Sequence, residues 1–139
     1  MNQIAIFWPV IAQVLLVFIV YGLLSLRRTA AIKAGNVRLS DFRANRHEPR
    51  ESVFVNNNLL NQFQLPVLFY VVCLCLYVTE GNSVVTIVLA WLFVASRYIH
   101  AAVHVTTNRM PYRQSAFAVG YVVLGLLWVW FALHLLAIV

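Results

Sequence analysis

The sequence predicts an all-α membrane protein, a four-transmembrane-helix bundle, from its composition, its four apolar stretches and the positions of its cations. Of 139 residues, 63% are hydrophobic and 10% charged, an apolar excess beyond the roughly half-apolar content of soluble domains. Stretches at about 4–26, 59–78, 84–105 and 115–139 approach the ~20 residues that a helix needs to cross ~30 Å of hydrocarbon. They leave little room for a soluble domain, so 1–139 is read as a single integral membrane domain with one long connection, 27–56. All ten Lys and Arg fall in or beside two of the three connections.

The first stretch has no basic region before it and no A-x-A-like end, so it is expected to be a retained span and not a signal peptide. Pro9 sits near its start, where a kink is tolerable. Gln13, deeper in the apolar run, is expected to bond a neighbouring helix. The connection that follows mixes charge with a Gly35-Asn36 turn signal and the breaker Pro49. Ser40 and Asp41 there are candidates to cap a short helix through Phe42. Trp8, Tyr77, Trp128 and Trp130 lie near the outer ends of the spans, as in an aromatic belt.

Arg27, Arg28, Lys33, Arg38, Arg43, Arg46 and Arg50 belong to the first connection, and Arg97, Arg109 and Arg113 lie in or beside the third. The positive-inside rule then puts 27–56 and 106–114 in the cytoplasm and both termini outside. The net charge of +6 follows from this topology and from anionic lipid, which argues against a nucleic-acid partner. Cys73 and Cys75 are two apart on a helix and point to different sides, so they read as small buried hydrophobes and not as a redox pair. No zinc-ligand spacing, P-loop, dinucleotide fingerprint or nucleophile elbow is present.

The second span carries the most information. Its purely apolar part, 65–78, has about 14 residues and reaches only ~21 Å at 1.5 Å per residue. To cross, the helix must extend backwards through Gln64, Gln62 and Asn61, with Asn57 at the membrane edge. Asn57, Asn61 and Gln64, at i, i+4 and i+7, lie within about 60° on a continuous helix and form one polar stripe. The third span carries a matching stripe, Arg97, His100 and His104. A tight turn near Gly81 makes the two helices antiparallel and puts both stripes at one depth. Each stripe also has a plain reading, as interhelical hydrogen bonding or packing histidines.

Arg97 lies roughly 20 Å from the outer end of its span, where an arginine costs at least about 2.5 kcal/mol unless paired or beside a water-filled cavity. It is the leading site candidate, against the alternatives of snorkelling or an interhelical clamp. Arg113 stands at the start of the fourth span, whose macrodipole is positive at that end. Helix N-termini with Arg97 and Arg113 make a pocket suited to a carboxylate or thiolate. Arg109 and Arg113 also serve as topology charges.

These residues resemble a known family, the membrane-associated proteins in eicosanoid and glutathione metabolism (MAPEG), and its bacterial members in particular. The resemblance covers nearly the whole chain and rests on the run NQFQLPVLFY at 61–70, on Arg97, Tyr98, Ile99 and His100, and on Arg113. It implies a homotrimer in a bacterial inner membrane, with glutathione as cosubstrate between subunits. Asn61, Arg97, His100 and His104 would bind the tripeptide and Arg113 would stand near its thiol, lowering the thiol pKa. The thiolate would then attack a lipophilic small molecule entering from the lipid, as in a transferase or peroxidase. Asn57 stands where the family pattern has arginine, and Gln64 where it has glutamate. Those two departures keep a second reading open, a catalytically silent relative that binds a lipid-like ligand or a partner protein.

Overall fold

The structure, a computed structural model, describes residues 2–44 and 48–137. Arg46 and the last two positions of the fourth predicted stretch lie outside the described residues. Among the described residues the elements are all helical. A 3-10 turn, Gln3–Ile6, leads directly into α1, Phe7–Lys33, and the Asn2 side chain caps it by accepting from Ile4 N–H. Then follow α2, Arg50–Asn61; α3, Leu65–Val78; α4, Val84–Val105; and α5, Met110–Leu135. With α2 and α3 taken as one run, four helices among the described residues are long and apolar enough to cross a membrane.

Helix ends follow local chemistry and not the hydrocarbon boundary. α1 runs past the expected end at 26, because the residues after it, Arg27 to Lys33, include good helix formers and meet no breaker. It ends at Gly35, whose φ of 76° lets Asn36 N–H reach back to the Ala31 carbonyl at 3.2 Å, a Schellman closure. Pro49 precedes α2 and sets its start. Ser83 and Thr86 form a reciprocal capping box on α4. In the first connection a 3-10 helix spans Leu39–Ala44, with Asp41 Oδ2 accepting from Arg38 N–H at 2.9 Å.

The second span is not the continuous helix that the stripe argument assumed. Pro66 has no N–H, and its ring would clash with the carbonyl four residues back, at Gln62. The helix breaks at 62–64, with Gln64 at φ −102°, ψ −104°. Gln64 therefore continues from α2 through a bend.

The outward faces are apolar: Phe18, Leu68, Leu74, Leu92, Ile99 and Val129 are among many large side chains left exposed, as a lipid solvent requires. Inside are two apolar cores. One gathers Phe69, Val72, Leu76, Phe93 and Leu127; the other, nearer the basic connections, gathers Leu16, Val20, Leu24, Val55 and Leu59. Phe69 and Phe93 stack with centroids 4.5 Å apart.

Between the cores runs a polar layer. Gln13 Nε2 donates to Gln62 Oε1 at 3.0 Å, Gln62 Nε2 to Asn58 Oδ1 at 3.0 Å, and Asn58 Nδ2 to the Ala101 carbonyl at 3.4 Å. Gln13 thus makes its expected interhelical bond, and the chain of amides ties α1, the bend, α2 and α4. Tyr98 adds a hydroxyl bond to the Ala12 carbonyl at 2.7 Å.

Candidate functional site

At the end of the bundle that carries the basic connections, α2, the bend, α4 and α5 line an open cavity of about 500 Å³, within the size range of small-ligand sites. α2 contributes Asn57, Leu60 and Asn61, and the bend contributes Gln64. α4 contributes His100 and His104, and α5 contributes Arg113, Gln114 and Phe117. Six of the seven residues singled out from sequence therefore line one space. The two polar stripes share it even though the second helix is broken, because the bend carries Gln64 round to the same side.

Arg97 is the exception. It has no exposed surface and sits behind the cavity wall, with Cζ 5.7 Å from the Phe117 ring centroid. Its Nη2 donates to the Asn61 carbonyl at 3.4 Å, while Nε and Nη1 have no hydrogen-bond partner. The break explains the first contact. After Asn61 the chain tightens into i+3 bonds, with the N–H groups of Gln62, Phe63 and Gln64 reaching the carbonyls of Leu59, Leu60 and Asn61 at 3.0, 3.1 and 3.4 Å, and this end carries the negative pole of α2. Arg97 adds a second donor to the Asn61 carbonyl, a clamp role weighed from the sequence. Its charge borders the cavity through Asn61 and Phe117 without forming the surface.

The histidines form the floor, each 3% exposed. His100 Nδ1 is 3.1 Å from the Arg113 carbonyl; a carbonyl only accepts, so Nδ1 carries the proton in that contact. It ties α4 to the first turn of α5. His100 Nε2 and His104 Nδ1 are buried without a partner. The two rings meet edge to face, with centroids 5.6 Å apart, and His100 also lies 5.8 Å from Phe117.

Arg113 is half-buried, and its Nη1 donates to Asn108 Oδ1 at 2.7 Å. Asn108 adopts a positive φ of 48°, which asparagine tolerates better than most residues. Its N–H closes the end of α4 onto the Val103 carbonyl at 2.7 Å. The turn that ends α4 thus also aims the arginine. Asn108 and Gln114 were missed from sequence, since neither belongs to a polar stripe within an apolar run. Arg109 precedes the first residue of α5 as its N-cap and does not line the cavity.

The electrostatics are one-sided. The chain has four acidic residues, namely Asp41, Glu48, Glu51 and Glu80, and none lines this cavity. The space combines one guanidinium, a second behind the wall, two imidazoles and four side-chain amides. It suits an anion presented by an otherwise neutral or apolar molecule. Among the described residues no group of three or more His, Cys, Asp or Glu is placed to hold a metal ion.

Residues 5–133 match the family model described as MAPEG family. No curated protein and no solved structure matches the chain.

Proposed function

This chain belongs to the MAPEG family, and from that membership we propose that it is a glutathione-dependent transferase or peroxidase acting on lipophilic electrophiles. The reading takes it to work as a homotrimer, with the basic connections in the cytoplasm and both termini outside. The observation that carries it is the cavity in which Asn57, Asn61, Gln64, His100, His104 and Arg113 converge with no carboxylate among them.

The amides and Arg113 would bind the carboxylates of glutathione. A guanidinium near the sulfur favours thiolate over thiol, and Asn108 holds that guanidinium in place. In conjugation the sulfur forms a bond to an electrophilic carbon, and the bond from that carbon to its leaving group breaks. No protein nucleophile takes part. Exposed Leu60 and half-buried Phe117 give the cavity an apolar side for an acceptor that arrives through lipid.

The test uses the purified full chain in lipid nanodiscs with glutathione and 1-chloro-2,4-dinitrobenzene, following chloride displacement. Arg113→Ala should lower kcat/KM by about 10–100-fold, a loss of about 1.4–2.8 kcal/mol in transition-state stabilisation. It should also move the rising limb of the pH–rate profile to higher pH, because the bound thiol has lost a neighbouring cation. Arg113→Lys should recover part of both. An unchanged rate in Arg113→Ala would sink the mechanism.

A catalytically silent ligand-binding relative is the second reading, favoured by the neutral Asn57 and Gln64. It predicts no turnover in the same assay together with a retained lipid-like molecule in native mass spectra.

A further inference from the structure

The distribution of carboxylates restricts the ligand further. An ammonium placed beside a guanidinium is favoured over a neutral group only where an anion offsets the repulsion, and the cavity offers neutral amide and imidazole acceptors alone. Here Glu80 lies in the turn between α3 and α4, beside Asn82, which bonds Gln3 at the opposite end of the bundle from the cavity. The other three acids are in or beside the first connection and are engaged there. Asp41 accepts from Arg38 N–H, Glu48 pairs with Arg28, and Glu51 accepts from Asn36 Nδ2 at 2.7 Å. Arg113 in the wall and Arg97 behind it, the latter with two unpartnered donor nitrogens, repel a positive group.

Resting on the functional reading above, we propose that the cavity takes its thiol cosubstrate by the carboxylates and leaves the ammonium unrecognised. Thiols whose amino group is acylated or missing are then cosubstrates on a par with glutathione. Gln64 is the residue that sets this selectivity. It is exposed on the cavity wall at the bend and presents a neutral amide where a carboxylate of the same length would attract an ammonium.

The experiment measures binding of S-hexylglutathione and its N-acetyl derivative to the full chain in nanodiscs by calorimetry. Acetylation should leave Kd within threefold or tighten it. Gln64→Glu should reverse the preference, favouring the free amine by tenfold or more, and a circular dichroism spectrum like that of the parent checks that the variant is folded. Acetylation that weakens binding to the unsubstituted chain by more than threefold overturns the proposal, and so does a Gln64→Glu preference that does not move.

If neither tripeptide derivative binds, the glutathione reading fails, and the selectivity is decided with octanoate and 2-aminooctanoate. Tighter binding of octanoate sustains the exclusion of the ammonium. Equal binding, or binding of neither, overturns it.

Discussion

A guanidinium with no exposed surface needs negative charge within reach, and Arg97 has no carboxylate beside it. What it has is the negative pole of α2, where the Asn61 oxygen accepts from Nη2 at 3.4 Å beside its own bond from Gln64 N–H. The depth of Arg97 was legible in the sequence, as was the need for a partner. The partner itself was not, because the negative pole of a helix lies there only if α2 ends at Asn61. A donor at position 97 should therefore matter as much as a charge. Arg97→Gln, which keeps an N–H donor, should be more stable than Arg97→Leu by about 1 kcal/mol, the scale of an interhelical bond in a membrane. Thermal unfolding in a mild detergent reads the difference, and identical melting of the two variants would show that the capping bond contributes nothing.

At the scale of helices, the site depends on how closely α4 and α5 approach. Gly120 is buried against Ser96, and a Cβ added there would lie 2.7 Å from Ser96 Oγ, itself 2.6 Å from the Phe93 carbonyl to which it donates. Gly120→Ala should destabilise by about 1–3 kcal/mol, as overpacking generally does. It should also push α5 away from Arg97 and His100, which lie within the next turn or so of α4. The cause can be isolated, since the added carbon would be 3.8 Å from Ser96 Cβ, an ordinary contact. Ser96→Ala in the Gly120→Ala background should recover most of the lost stability. Additive losses in this double-mutant cycle would point away from the hydroxyl.

None of that contact was legible, because a glycine in an apolar run has no partner until a second helix is placed. The third span, by contrast, was expected at about 84–105 from its apolar run, and α4 spans Val84–Val105, with the Ser83–Thr86 capping box at its start. The second span fell between. Asn56, Asn57 and Asn58 are consecutive, and which of them faces the bundle interior depends on how α2 is rotated. Packing turned Asn58 and Gln62 into the core amide chain and left Asn57 and Asn61 to the cavity. Sequence could rank those positions by depth but had no means to fix the rotation, and it read through the break that Pro66 imposes.

Across the whole molecule, the first connection returns to α1 through a clamp just outside the apolar bundle. Arg28 meets Glu48 with Nε at 3.0 Å and Nη2 at 2.6 Å, and lies over the Phe42 ring at 5.2 Å. Ser52, at the start of α2, also donates to Glu48. Arg28 of α1 and Ser52 of α2 thus meet on one carboxylate, with Phe42 against the arginine. Burial alone would raise the Glu48 pKa, but the hydrogen bonds from Arg28 and Ser52 and the arginine charge outweigh it and hold the carboxyl below its ordinary value. A group whose folded pKa is depressed stabilises the folded state above its unfolded pKa and loses that contribution as pH falls through the folded value. The clamp is therefore intact at neutral pH and should open only in acid, below the ordinary carboxylate range. Hydrogen exchange followed by mass spectrometry should show slow exchange at Ser52 and Val53, whose N–H groups bond the Pro49 carbonyl, at neutral pH, once rates are corrected for intrinsic pH dependence, and a loss of protection in acid. Glu48→Gln should exchange fast at both pH values, since the amide cannot pair ionically with Arg28. Protection in Glu48→Gln equal to that of the parent at neutral pH would mean that the ordering of this end comes from the helices alone and not from the ion pair.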